Sequence, residues 1–397
     1  MAGRNHLYIP GPTNVPQSVL NAMNVAMQDH RSPIFPKLLI PLLGDLKKVF
    51  RTETGQAFIF PGTGTAGWEV ALTNTLNRMD KVLIFRFGHF SHLWATMGKK
   101  LGLDVEIHEE PWGMGISPDK LEARLRADVH HSIKAVLATH NETSTGVTSN
   151  IAGVREAMNA AKHPALLYVD GVSSIASIEF RMDDWGVDGA VSGSQKGFMM
   201  PAGGAFLAFS QKALATTASS ALTRFFLDLT DQISQNKDGY TPYTPSIPIL
   251  YGLRKALDLL FDEGLDNVYA RHYRLSEGVR RAVAAWGLKL LAQEGFQSNT
   301  VTAVVVPKHK DARDVIATAF SRYNLSLGGG LSEVAGKIFR IGHIGDLNEV
   351  SILGAIAGVE MAMLDHGFDV IPGSGVGAAI DYFRLTTEKV VAINAVQ

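Results

Sequence analysis

The sequence has 397 residues, of which 46% are hydrophobic and 19% charged, and its formal net charge is −1. This composition predicts a globular protein with two domains and gives no reason to expect general attraction to nucleic acid or to a membrane surface. Cysteine is absent, which excludes disulfides, thiolate metal sites and cysteine nucleophiles. With no apolar run of transmembrane length and no signal-peptide pattern, we expect a cytoplasmic location without membrane association.

The N-terminal part of the sequence predicts a loop followed by two helices. The loop Pro10-Gly-Pro-Thr-Asn-Val-Pro16 is stiffened by its prolines, and the pattern after it predicts a helix over 17–29. Residues 36–50 carry leucines on one face and charges on the other, which predicts an amphipathic helix. Between these helices, residues 29–33 are typical of a solvated loop, and residue type alone gives His30 no function.

A glycine-rich turn follows the first predicted strand. The strand Ala57-Phe-Ile-Phe-Pro61 leads into Gly62-Thr-Gly-Thr-Ala-Gly67, which opens a helix. Glycines allow a ligand to approach the backbone closely, and the free amides at a helix N-terminus favour an anion. Thr63, Gly64 and Thr65 therefore suit a phosphate group, although any strand-to-helix turn can use glycine.

Two further strand ends carry side chains of interest. Phe90 follows the predicted strand Lys81-Val-Leu-Ile-Phe85, where an aromatic residue on its own indicates core packing. The strand Ile133-Lys-Ala-Val-Leu-Ala-Thr139 is followed by the polar loop His140-Asn-Glu-Thr-Ser-Thr-Gly146, which also suits an ordinary turn. Strand, loop and helix alternate up to Phe209, which predicts a mainly parallel sheet with helices on both faces.

An acid and a lysine lie at the ends of two buried strands. Ala165-Leu-Leu-Tyr-Val-Asp170 predicts a buried parallel strand that ends in Asp170, and the strand Asp188-Gly-Ala-Val-Ser192 is followed by Gln195 and Lys196. Open α/β sheets bind ligands at this edge, so both charges can face one crevice. The pair suits pyridoxal phosphate, because a desolvated lysine amine condenses with its aldehyde and a carboxylate keeps its ring nitrogen protonated. A structural ion pair is the alternative.

The remaining sequence predicts a proline-containing loop, long helices and a smaller α+β domain. Gly239-Tyr-Thr-Pro-Tyr-Thr-Pro-Ser246 cannot form regular helix. We assign residues 1–270 to a large domain that includes the N-terminal segment, and residues 271–397 to a small C-terminal domain. Arg340 lies inside an apolar strand of the small domain, where a guanidinium needs either a carboxylate of the protein or one of a substrate.

The motifs Asp170-Gly-Val-Ser-Ser174 and Ser192-Gly-Ser-Gln-Lys196 resemble those of the fold-type I, class V aminotransferases, in particular the serine–glyoxylate and alanine–glyoxylate enzymes. The resemblance runs from Pro10 to Gly377. It implies an α/β fold with a mainly parallel seven-stranded sheet, pyridoxal phosphate as cofactor and a homodimer with its sites at the subunit interface. The implied reaction converts glyoxylate to glycine with L-serine as amino donor, or alternatively L-aspartate or L-alanine. A pyridoxal-phosphate-dependent lyase is a more distant alternative.

The resemblance also implies roles for individual residues. Lys196 carries the cofactor and moves the proton, while Asp170 holds the ring nitrogen protonated. The cofactor contacts that it implies are Thr63, Gly64, Thr65, Phe90, Thr143, Gln195 and, from the second subunit, Thr244 and Tyr240, with Tyr243 competing for the place of Tyr240. Arg340 binds the substrate carboxylate, and His30 lies at the mouth of the site. The family's Phe-Asp-Trp motif is replaced here by Phe226-Leu-Asp-Leu, which leaves the substrate contacts there open.

Overall fold

The computed structural model describes residues 5–394. Its helices are α1 (Gln17–Met23), α2 (Pro36–Phe50), α3 (Gly64–Thr75), α4 (His89–Lys100), α5 (Pro118–Ala127), α6 (Ile151–Ala160), α7 (Gln211–Leu214), α8 (Leu229–Asn236), α9 (Ile247–Glu263), α10 (Leu265–Ala285), α11 (Ala312–Tyr323), α12 (Glu349–Asp365) and α13 (Ser374–Asn394). Its strands are β1 (His6–Tyr8), β2 (Gln56–Gly62), β3 (Lys81–Arg86), β4 (Asp104–Glu109), β5 (Ile133–Thr139), β6 (Asn141–Glu142), β7 (Val147–Thr148), β8 (Leu166–Asp170), β9 (Gly189–Gly193), β10 (Gly203–Phe209), β11 (Lys289–Leu290), β12 (Val301–Val305), β13 (Leu325–Gly329) and β14 (Ile338–Gly342).

A seven-stranded sheet forms the centre of the larger part, with the order β2-β10-β9-β8-β5-β3-β4. Strand β10 runs antiparallel to both of its neighbours, and the other pairs are parallel. Every residue of β8 and β9 is buried, as expected for strands that are covered by helices on both faces. The predicted α/β fold with a mainly parallel seven-stranded sheet is therefore confirmed.

The smaller sheet has five strands in the order β1-β13-β14-β12-β11. The N-terminal strand β1 belongs to it and runs parallel to β13, with His6 paired to Leu325. The sequence analysis had grouped this segment with the large domain. Packing explains the difference, because Tyr8 is buried in the second core and its hydroxyl donates to the Ser351 carbonyl oxygen at 2.5 Å.

Helix α10 connects the two hydrophobic cores, contributing Val268 to the first and Leu275 to the second. The proposed boundary between residues 270 and 271 falls between these two side chains. At the other end of the chain, α1 stops at Met23, well before the predicted position 29. In the residues that follow, Val25 still packs against the first core but the Met27 side chain is 70% exposed. In the described part of the chain, no helix combines the length and apolar character needed to cross a membrane.

Candidate active site

A cavity of about 300 Å³ lies at the carboxyl edge of the seven-stranded sheet. The loops that follow β2, β3, β5, β8 and β9 surround it, which is the usual ligand position in open α/β sheets. The predicted residues that line it are Thr63, Gly64, Thr65, Phe90, Thr143, Asp170, Gln195 and Lys196. The fold therefore brings together side chains that are far apart in the sequence.

Asp170 ends β8 and is almost fully buried, at 4% exposure. Burial raises the pKa of its carboxyl to about 7, and the negative charge of Glu142 acts in the same direction. A hydrogen bond from the Val172 amide to Oδ1, at 3.0 Å, opposes this shift. The indole of Trp68 also favours the carboxylate, although its Nε1 makes no hydrogen bond of ordinary geometry. An additional cation at this carboxylate would therefore be strongly stabilised.

Lys196 follows β9 in a turn, and its amine lies inside the protein. Nζ donates a hydrogen bond to the Pro10 carbonyl oxygen at 2.6 Å, so the loop before α1 reaches the site. Burial lowers the pKa of the amine to about 8, and the positive charge of Arg340 adds to this, while Asp170 opposes it. A lysine with this pKa is partly neutral near physiological pH and can act as a nucleophile or a base.

The opposite side of the cavity is the N-terminus of α3. Thr63 is its N-cap residue and makes no side-chain capping bond, so the first amides of the helix are free of intrahelical acceptors. Gly64 packs directly on Val172, and a Cβ at this position would overlap the valine side chain. Nearby, the Gln195 Oε1 atom is buried without a hydrogen-bond partner. The free amides at this helix start fit an anion such as a phosphate, whereas the Gln195 oxygen can only accept a hydrogen bond.

Arg340 lies in β14 and approaches the cavity from the smaller sheet. Its Nε donates to the Gly329 carbonyl oxygen at 2.8 Å and its Nη1 to the Thr143 carbonyl oxygen at 3.0 Å. Burial lowers the pKa of the guanidinium to about 10, while the charge of Glu142 opposes the shift. Among residues 5–386, whose side chains the structure describes, no carboxylate forms an ion pair within 4.0 Å of Arg340. A buried cation without such a partner suits an incoming carboxylate.

The model of the aminotransferase class-V family matches residues 6–335. The chain belongs to the class V aminotransferase family. It is 58% identical to a serine–glyoxylate aminotransferase of Methylorubrum extorquens, over 96% of both chains. It is 50% identical to an L-aspartate–glyoxylate aminotransferase of Paracoccus denitrificans, over 98% of both chains. The crystal structure of a ureidoglycine–glyoxylate aminotransferase from Bacillus subtilis matches with a TM-score of 0.89 and 27% identity, over 97% of this chain and 99% of that one.

The resemblance to class V aminotransferases and the predicted reaction class are therefore confirmed. The residues of this class V aminotransferase also fit the family's cofactor, pyridoxal phosphate. The free amides of α3 provide an anion site, and Lys196 and Asp170 lie in the same cavity. A further unpaired polar atom, Trp68 Nε1, also lies in this cavity.

Arg340 does not line the cavity itself and contacts it through Thr143. Four further predicted residues, His30, Tyr240, Tyr243 and Thr244, also lie outside the lining of the cavity of their own chain. His30 is in the turn before α2, and its neighbour Arg31 donates to the Thr241 carbonyl oxygen at 2.9 Å. Tyr240 stacks on Phe35 with ring centroids 6.4 Å apart, and Thr244 is exposed. The loop around His30 therefore packs on the loop 239–246. Their roles at the site of a second subunit stay predictions.

Trp68, Ser173 and Glu142 are three residues of this aminotransferase site that were not predicted from the sequence. Ser173 Oγ accepts a hydrogen bond from Thr143 Oγ1 at 2.8 Å, and so fixes the predicted cofactor contact. The Asp-Gly-Val-Ser-Ser motif contains this serine, and its position next to Asp170 was the available signal. Glu142 lies in the polar loop after β5, but its partners in α4 are 51 and 52 positions away, which no local pattern reveals.

Proposed function

We propose that this chain is a pyridoxal-phosphate-dependent aminotransferase that transfers the amino group of L-serine to glyoxylate and forms hydroxypyruvate and glycine. The observation that carries the proposal is the arrangement of three buried charges: Asp170 and Lys196 line one cavity, and Arg340 bonds to the carbonyl oxygen of the lining residue Thr143. The 58% identical relative supports serine as the donor. The 50% identical relative supports L-aspartate as the alternative, and L-alanine is a third donor to test.

Several residues would hold the cofactor. The amides of Gly64 and Thr65, with the hydroxyls of Thr63 and Thr65, would bind its phosphate. The Phe90 ring would pack against the pyridine ring. Gln195 and Thr143 would donate to its polar edge, the latter to the phenolic oxygen. When bound, pyridoxal phosphate supplies an electron-withdrawing ring that stabilises the charge left when a Cα–H bond of an amino acid breaks.

Three charged side chains of the protein would each have a separate role in the reaction. Asp170 holds a proton on the pyridine nitrogen, and that cation offsets the burial of the carboxylate. Lys196 Nζ takes the α-proton of the amino donor, which its lowered pKa of about 8 allows near neutral pH. Arg340 binds the α-carboxylate that both the donor and glyoxylate carry, so one anchor serves both substrates.

We also propose a homodimer that acts in the cytoplasm, with Thr244 and Tyr240 or Tyr243 contributed to the partner's site and His30 at its mouth. The position of loop 239–246 outside its own cavity supports this arrangement. So does the exposure of the aromatic residues beside the loop, since the Phe225 ring is 77% exposed and packs on Tyr243. A second subunit would cover these rings.

A donor panel tests the reaction. The purified protein is supplied with pyridoxal phosphate, glyoxylate and either L-serine, L-aspartate or L-alanine, and glycine and the new 2-oxo acid are measured. We expect equal amounts of glycine and hydroxypyruvate and the highest kcat/KM with serine. A higher value with aspartate would replace serine by the alternative, and the absence of glycine with every donor would overturn the proposal. A Lys196→Ala variant gives the background rate.

A further inference from the structure

Glu142 is a fully buried carboxylate that the proposed chemistry does not use. Its Oε2 accepts a hydrogen bond from the Ser91 amide at 2.8 Å. Its Oε1 accepts bonds from the Ser144 hydroxyl at 2.6 Å, the Ser144 amide at 3.1 Å and the Phe90 amide at 3.3 Å. Burying a carboxylate is costly unless charge-assisted bonds of this kind compensate it, which points to a specific role.

The carboxylate completes the N-terminus of α4, which has no capping side chain of its own because Gly88 is the N-cap residue. Glu142 takes the amides of Phe90 and Ser91, and the Ser144 hydroxyl accepts from the His89 amide at 2.8 Å. A Cβ at Gly88 would overlap the Glu142 side chain, so the glycine allows this close approach. A negative charge is also favourable at the positive end of the helix dipole.

Two residues held by this carboxylate, its hydrogen-bond partner Phe90 and its chain neighbour Thr143, belong to the active site. The ring of Phe90 lines the cavity, and so does Thr143, the residue next to Glu142. The Thr143 carbonyl oxygen accepts a hydrogen bond from Arg340 Nη1 at 3.0 Å. Glu142 thus ties the helix that carries Phe90 to the loop that supports Arg340. Its charge also acts on the ionisation of both Arg340 and Asp170, in each case by raising the pKa.

We propose that Glu142 is a positioning residue of this active site. Its carboxylate holds the Phe90 ring and the Thr143–Arg340 contact in their places beside the cavity. The inference deepens the proposed function, since it takes Phe90 to contact pyridoxal phosphate and Arg340 to contact the substrate. A carboxylate that only stabilised the fold would not influence the environment of the bound cofactor. That difference can be measured.

The test compares Glu142→Gln with a matched control, Glu360→Gln. The glutamine keeps the side-chain volume but replaces one acceptor oxygen by an NH₂ group that cannot accept from an amide. Glu360 is also buried, at 4% exposure, and accepts from Trp286 Nε1 at 2.8 Å and from the Gly375 amide at 3.0 Å, at the start of α13. It belongs to the smaller part of the molecule and does not line the cavity.

Three measurements are made on each variant: the dissociation constant of pyridoxal phosphate, the circular dichroism of the bound cofactor band, and amide hydrogen exchange of residues 88–97 without cofactor. For Glu142→Gln we expect faster exchange at Phe90 and Ser91, an altered cofactor band and roughly ten- to hundredfold weaker cofactor binding. Glu360→Gln should lower the melting temperature and leave all three site measurements at the values of the parent protein.

The inference is overturned if Glu142→Gln keeps the parent's cofactor band and affinity, or if Glu360→Gln changes them as much. If Glu142→Gln does not fold, Ser144→Ala replaces it, because that change removes the hydroxyl shared by Glu142 and the His89 amide. Ser144→Ala should then give the same changes on a smaller scale, and unchanged values would count against the inference.

The outcomes also separate this inference from the proposed function. A parent protein that binds the cofactor but forms no glycine overturns the amino transfer to glyoxylate, while the three site measurements still decide the role of Glu142. A parent protein that binds no pyridoxal phosphate overturns both, because Glu142 then has no cofactor contact to position.

Discussion

Asp170 and Lys196 line one cavity and Arg340 is bonded to its lining residue Thr143, yet no two of these three buried charges form an ion pair within 4.0 Å. The amine of Lys196 contacts a neutral carbonyl oxygen, and the guanidinium of Arg340 contacts two. A buried charge without an ionic partner lowers the stability of the fold. We therefore infer that these three charges serve to bind ionic ligands. Two predictions test this interpretation residue by residue.

The first concerns Arg340→Lys. An ammonium group cannot donate two parallel hydrogen bonds to a carboxylate while also holding the carbonyl oxygens of Gly329 and Thr143. We expect a loss of about 2 kcal/mol or more in transition-state stabilisation, roughly thirtyfold in kcat/KM, for the amino donor and for glyoxylate alike. Steady-state kinetics with both substrates varied provide the measurement.

The control for this change is Arg322→Lys, because Arg322 is 62% exposed and pairs with Asp365 at the surface. It should leave kcat/KM unchanged for both substrates. If Arg340→Lys impaired the donor and spared glyoxylate, Arg340 would select the donor side chain instead of binding the shared carboxylate, and the anchor would have to be sought near His30 and Arg31.

The second prediction concerns the stability of the cofactor-free protein. The pKa of Asp170 is raised to about 7 by burial, whereas an unfolded aspartate titrates near about 4. Between these values the folded protein binds a proton that the unfolded chain has released, so this group lowers stability as pH rises through the window. Asp170→Asn should therefore stabilise the cofactor-free protein above about pH 7, by a few kcal/mol at most, and have little effect near about pH 4.

Urea unfolding at a series of pH values measures this difference, with Asp183→Asn as the opposite case. Burial raises the pKa of Asp183, but hydrogen bonds from Thr52 and from the amides of Glu53 and Thr54 outweigh it and leave the pKa lowered. Its replacement should therefore destabilise the protein near neutral pH. If Asp170→Asn were less stable than the parent at pH 8, the inference that the buried, ionised Asp170 carboxylate lowers the stability of the cofactor-free protein would be wrong. With cofactor, the same variant should be nearly inactive, because the ring nitrogen loses its counter-charge.

At the scale of secondary structure, the site is a property of strand ends and helix starts. The anion site depends on α3 beginning directly against Val172, which only a glycine at position 64 allows. Gly64→Ala should displace the helix start or the valine and weaken pyridoxal phosphate binding by roughly tenfold or more. Equilibrium dialysis of the cofactor, and of inorganic phosphate as a fragment of it, measures the effect.

Gly354→Ala is the matched control, since no atom lies within 4 Å of a Cβ built at that position inside α12. Alanine there should stabilise the helix by up to about 1 kcal/mol and leave cofactor binding unchanged. If Gly64→Ala bound both ligands with the parent's affinity, the phosphate could not depend on the start of α3.

The elements themselves show what sequence patterns can predict. Strand β5 and helix α2 have the predicted bounds, because short apolar runs and a leucine-rich face identify buried structure locally. The placement of Asp170 and Lys196 in one cavity was predicted in the same way, from the ends of two buried strands. The end of α1 at Met23 and the placement of β1 in the smaller sheet were not predicted, because both depend on tertiary packing, as the burial of Tyr8 shows. The contact of Glu142 with α4 has the same cause.

At the scale of the whole molecule, the predicted site is incomplete in a single chain, because Thr244 lies outside its own cavity and is exposed. If a second subunit supplies it, Thr244→Glu should disable the partner's site by placing a carboxylate beside the phosphate, without disturbing the fold of its own chain. Lys196→Ala should disable the site of its own chain. Each variant alone is expected to be inactive.

Mixing the two variants distinguishes a shared site from a self-contained one. In a twofold dimer with one chain of each kind, one site receives both changes and the other receives neither. After equal amounts are unfolded together and refolded, half of the dimers are mixed, so about a quarter of all sites should be intact and about a quarter of the parent's activity should return. Sedimentation analysis must find dimers in the same sample. If each variant alone is inactive and the mixture also remains inactive although mixed dimers form, Thr244 acts within its own chain, because only contribution from the partner separates the two changes into one doubly altered and one unaltered site.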